Sequence, residues 1–136
     1  MGLYLCVFRG EEELDGMEVG SYDDFEQFRD AARALDGRIF RRFGTLRVNV
    51  SPTTAWSSRD AGRLSRELTA LGRELQRLPP RPFTPGTWQA DVARERGLEP
   101  ATLRDCFLDV EGEPLLDRLL ALCRLSVETG QPILFQ

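Results

Sequence analysis

The strongest constraint on what this chain can fold into is its hydrophobic period, which switches between the strand and helix repeats several times within 136 residues. Residues 3–8 are apolar almost throughout and end at Arg9-Gly10, as a buried strand does. Residues 11–16 read as an acidic connection closed by a turn-forming Asp15-Gly16, and 17–19 alternate as a short returning strand. Ser21 stands where a helix cap is needed, ahead of Asp23, Asp24 and Glu26. Phe25, Phe28, Ala32 and Leu35 follow at helical spacing up to Gly37. Residues 38–50 return to a period of two and read as a hairpin turning at Gly44-Thr45.

The second half is richer in helix. Ser57 and Asp60 form a capping box, and Leu64, Leu68, Leu71, Leu75 and Leu78 make one long apolar stripe before Pro79-Pro80. That stripe is expected to pack on the sheet, with a coiled-coil seam as the competing reading. A proline-rich connection leads to a short helix from Thr87-Trp88 to Gly97. Residues 106–110 are strand-like, Glu111-Gly112 turns, and Pro114 sits well in the first turn of a last, mostly buried helix. Gly130 ends it, and Ile133-Leu134-Phe135 is a terminal strand. The order predicts a single α+β domain over 1–136, with a mixed or mostly antiparallel sheet packed against about four helices.

The side-chain inventory then narrows function. The chain holds no histidine and no lysine, so all eighteen basic residues are arginine. Histidine-based nucleophile systems and histidine-containing zinc sites cannot be built, and neither can Schiff-base or phosphate-loop lysine chemistry. What remains suits binding better than catalysis, and no cofactor is expected. The formal charge of −4 argues against a nucleic-acid binder, and no apolar run is long enough for a membrane span. Cys6, Cys106 and Cys123 each lie in an apolar segment and read as reduced, buried small hydrophobes of a cytoplasmic protein.

Two groups of carboxylates invite a functional reading. Glu11, Glu12, Glu13 and Asp15 are either a solvated loop or a docking surface for a basic partner. Asp105, Asp109, Glu111 and Glu113 are either helix-start electrostatics with a solvated rim or a carboxylate-based metal-binding or hydrolytic module. On a continued strand, Asp109, Glu111 and Glu113 would share one face. Trp56, just before the Ser57 cap, is either a staple on the first helical turn or an interface anchor. Arg38, Arg41, Arg42 and Arg47 could meet phosphate, although edge-strand protection fits a net negative chain better.

Both ends of the chain carry a family likeness. The stretch Met1-Gly2-Leu3-Tyr4-Leu5-Cys6-Val7-Phe8, with Leu14-Asp15-Gly16-Met17-Glu18-Val19-Gly20-Ser21-Tyr22, resembles the start of the bacterial immunity protein 70 family. So does Asp105-Cys106-Phe107-Leu108-Asp109-Val110-Glu111-Gly112-Glu113-Pro114-Leu115-Leu116, with Pro132-Ile133-Leu134-Phe135-Gln136 at the end. Residues 51–55 depart from the family pattern in carrying no acidic residue. The resemblance implies a non-enzymatic cytoplasmic antidote of a polymorphic toxin system, which binds and blocks a cognate toxin domain. It implies no metal, cofactor or catalytic residue. The expected contacts are Glu11, Glu12, Glu13, Asp15 and Trp56, on a monomer or a homodimer formed through the terminal strand or the leucine helix.

Overall fold

The computed structural model describes residues 2–36, 43–46 and 54–136. Strands β1 (Gly2–Arg9) and β2 (Glu12–Ser21) pair antiparallel from Gly2 opposite Ser21 to Arg9 opposite Glu12. Gly10 and Glu11 alone connect them, with Gly10 at φ +62°. Glycine at the first position of a two-residue hairpin loop is what a mirror-image turn requires. This corrects the reading of 11–16 as a loop. Asp15-Gly16 lies inside β2, with Gly16 opposite Cys6, and the ladder slips by a residue between Val7 and Phe8. Local Asp-Gly turn propensity yields here to the longer pairing that the Gly10 turn permits.

The remaining strands are short. β3 (Ala55–Trp56) and β4 (Ile133–Phe135) complete an antiparallel sheet in the order β2-β1-β4-β3. β4 therefore lies inside the sheet, paired on both sides. With α1 (Tyr22–Leu35), α2 (Ser58–Leu75), α3 (Trp88–Arg96) and α4 (Leu115–Thr129), this makes an α+β domain of the expected kind.

Both serine caps form full capping boxes, Ser21 with Asp24 and Ser57 with Asp60. Thr87 caps α3, and Gly97 and Gly130 take left-handed conformations at the ends of α3 and α4. The leucine stripe of α2 is buried at Leu64, Leu68, Leu71 and Leu75, and α2 packs chiefly on α4 instead of directly on the sheet. α1 and α4 lie against β1 and β2, and their apolar faces meet Leu3, Leu5, Val7, Met17 and Val19 in one core. The last helix is less buried than expected at Val127, which is 52% exposed.

Two other expectations change. Residues 106–110 form no strand. A 3-10 turn, Leu103–Cys106, takes in the first of them, and a single bridge joins Leu108 to Pro114. The hairpin expected over 38–50 falls outside the described residues except for 43–46, which do form a turn. Glu67 accepts the backbone N–H groups of Thr45 (2.8 Å) and Leu46 (3.2 Å), and Arg29 Nε donates to the Leu46 carbonyl at 2.9 Å. Helices α2 and α1 thus hold that turn. Arg38, Arg41, Arg42 and Arg47 lie outside the described residues.

Candidate functional site

The β1–β2 hairpin concentrates charge. Between residues 2 and 21 stand five carboxylates, Glu11, Glu12, Glu13, Asp15 and Glu18, against the single cation Arg9. The rest of the chain holds seventeen acidic and seventeen basic residues, so the whole formal charge of −4 sits on this one hairpin. Glu11 and Glu12 project at its tip, exposed and without ion-pair partners among the described residues. Glu13 is exposed and accepts the Tyr4 hydroxyl. That bond, together with burial and the nearby negative charge, raises the Tyr4 pKa to about 12. Asp15 is half-buried. It accepts the Gly16 N–H at 2.8 Å and faces Arg118 Nη2 at 3.5 Å, so part of its charge is spent inside the molecule.

Tyr4 reaches Glu13 by lying across Gly16. A Cβ on Gly16 would run into the Tyr4 ring and hydroxyl and the Glu13 carboxylate. The outer edge of β2 is partly closed at the same level. Arg118 Nη2 donates to the Gly16 carbonyl at 2.7 Å, and the Val110 N–H donates to the Glu18 carbonyl at 2.9 Å. A partner approaching here meets side chains before it meets free backbone.

Trp56 does not join this surface. Its side chain is 2% exposed, edge-on to Phe135 with ring centroids 4.7 Å apart and tilted against Phe25 at 6.4 Å. It anchors β3 on the core, which replaces the expectation of an exposed contact. Among the described residues the indole nitrogen has no hydrogen-bond partner.

The second acidic group is dispersed by the turn that replaces the expected strand. Asp105 accepts the N–H groups of Ala101 and Thr102 and so caps the 3-10 turn. Asp109 is buried and accepts the N–H groups of Glu111 and Glu113, each at 2.9 Å. Burial raises its pKa in spite of those bonds and of Arg118, whose Nε lies 3.6 Å from the carboxylate. Glu111 and Glu113 point outward. Among the described residues no three acidic or cysteine side chains gather in a metal-holding group. Asp105 and Asp109 have local structural tasks instead.

Sequence reasoning missed a node at Asp24. Its carboxylate accepts Ser21 N–H and Oγ, Trp88 Nε1 at 3.0 Å and Gln89 Nε2 at 2.8 Å, tying α1 to α3. Burial alone would raise its pKa, but these donors outweigh it and hold the carboxyl below its ordinary value. Gly20, at φ +115°, leaves room for the contact: a Cβ there would lie 2.6 Å from Asp24 and 2.8 Å from Trp88. Beside Asp24 is a cavity of about 340 Å³ under the proline-rich loop, with Phe83, Leu103, Phe107 and Leu115 in its lining. Cys106, partly exposed at this cavity, has the carbonyls of Arg81 and Thr102 within reach of its single S–H. All three thiols are free, and burial raises the pKa of Cys6 to about 11 and of Cys123 to about 12, which suppresses the nucleophilic thiolate.

The fold and surface define a small α+β domain whose net charge is gathered on one acidic hairpin. Comparison with known families matches residues 3–135 to the family model described as Immunity protein 70, and the chain belongs to that family. No curated protein and no solved structure matches the chain. Among the described residues no helix is long and apolar enough to cross a membrane.

Proposed function

We propose that this protein is a cytoplasmic immunity protein that binds a cognate bacterial toxin domain and neutralises it by contact alone, without catalysis. The contacts we assign are Glu11, Glu12, Glu13 and Asp15, with Trp56 acting from behind by fixing β3. The observation that carries the assignment is the segregation of charge: one hairpin holds the entire net charge of a molecule that is otherwise balanced. Such a patch raises the encounter rate with a positively charged partner and selects against negatively charged ones. Membership of the immunity family supports the toxin as that partner.

The test is co-expression with the C-terminal domain encoded by the adjacent gene. Growth is expected to fail with that domain alone and to return when this protein is present, and the two should co-purify. Glu11→Gln with Glu12→Gln is expected to weaken the complex by about tenfold, since the pair sits exposed at the tip. A toxic domain that is neither rescued nor bound would overturn the proposal.

A further inference from the structure

The sheet has two faces, and the core claims only one. Residues paired directly across antiparallel strands share a face. Leu5 with Met17 and Phe135, and Val7 with Ile133 and Trp56, belong to the core. The opposite face carries Tyr4 beside Glu18, then Cys6 in a row with Gly16, Leu134 and Ala55, then Phe8 beside Glu13. Tyr4, Cys6, Phe8 and Leu134 are all absent from the core cluster although each is apolar. Tyr4, Phe8 and Leu134 are half-buried around a fully buried Cys6, while Glu13, Glu18 and Ala55 are exposed. This is an apolar strip with carboxylates along one side.

We infer that this second face of the sheet is the seat for an arginine-bearing basic surface of the toxin, gripped between the Tyr4 and Phe8 rings and the Glu13 and Glu18 carboxylates. The inference rests on the immunity reading and specifies the chemistry of its interface. Three observations support the choice of occupant. The whole net charge lies on this hairpin, so the complementary surface is cationic. The half-buried rings offer flat faces on which a guanidinium stacks, which a lysine ammonium matches less well. The Tyr4 hydroxyl is already committed to one oxygen of Glu13, which pins that carboxylate upright and leaves its other oxygen to accept from an arginine fork. Arg118 and Val110 occupy the carbonyls of Gly16 and Glu18 on the β2 edge. Side chains on the face, and not an added strand, are then what a partner meets.

The experiment uses the whole protein and the purified C-terminal domain of the adjacent gene product. Binding is compared for Glu13→Gln with Glu18→Gln, for Ala55→Arg, and for a control, Glu95→Gln with Glu99→Gln, which removes the same charge from an exposed region outside the hairpin. The face variants are expected to lose at least about tenfold in affinity, and the control to stay within about twofold. Circular dichroism and the thermal midpoint establish that each variant is folded. Ala55 is an exposed position on the edge strand, so its replacement tests the face even if the glutamate pair perturbs the hairpin. Equal losses in face and control variants, with wild-type protein still protecting cells, would overturn the inference and leave the immunity reading standing. A wild-type protein that protects against nothing would remove both.

Discussion

Gly16 shows how one missing side chain arranges a surface. Without a Cβ it lets the Tyr4 ring lie flat across β2 and reach Glu13. Tyr4 then covers the strand's weakest residue, much as an aromatic neighbour compensates for glycine in other sheets. Asp24 is a node of a different type, a carboxylate whose four donors come from α1's own cap and from α3. Asp24→Asn, which cannot accept all of them, is expected to cost about 1–2 kcal/mol at neutral pH. Because the folded pKa is lowered, the stabilisation is present above the ordinary value of 3.8 and is lost as pH falls through the lower, folded one. The stability gap between wild type and variant, measured by urea titration at a series of pH values, is therefore expected to shrink once the pH drops below about 4. A gap that stays constant into acid would mean that charge on Asp24 is not what the donors stabilise.

At the scale of elements, α2 and α4 bear the load. Leu68 is fully buried on α2, the helix that packs chiefly on α4, and Leu68→Ala should destabilise the fold by on the order of 3 kcal/mol in chemical denaturation. A value below about 1 kcal/mol would mean that the contact is plastic. This stripe was legible in the sequence, as were the Ser21 cap, the Ser57 box and the glycine stops at Gly97 and Gly130, because each depends on neighbours within a helical turn or two. The extent of β2 was not legible. Asp15-Gly16 reads as a turn until one knows that Tyr4, a dozen residues earlier, lies over it. The stretch 106–110 has strand-like composition, yet Asp109 collects the N–H groups of Glu111 and Glu113 and bends the chain instead. The acidic hairpin was legible as a candidate site. Its second, apolar face was hidden, since β1 is apolar on both sides and alternation gives no clue to which side is covered.

For the whole molecule, the decisive property is where charge lies and not how much there is. A domain with −4 spread evenly would scarcely steer a partner, whereas the same charge on one hairpin makes a directed field. The association rate with the toxin domain is expected to fall by about tenfold between low and high salt, with dissociation changing much less. Stopped-flow measurements over that range check it; a rate indifferent to salt would show that the hairpin does not guide encounter. Leu64, Leu68, Leu71 and Leu75 of α2 are buried within the domain and β4 is paired on both sides, so neither surface named for a homodimer is free in this fold without rearrangement.

The position of β4 bears on timing. Leu5 lies opposite Phe135 and Val7 opposite Ile133, so the middle of the sheet joins segments from the two far ends of the described chain. During synthesis the acidic hairpin is made well before the strand that braces it, with α1, α2, α3 and α4 translated between the two. Pairing across so long a separation pays its loop-closure entropy late and folds slowly for its size. On the proposed function, a cell that begins to make this protein would be unguarded for the interval between translating the hairpin and seating β4. Standing stocks of folded protein, and not fresh synthesis, would then set how large a sudden dose of toxin the cell survives.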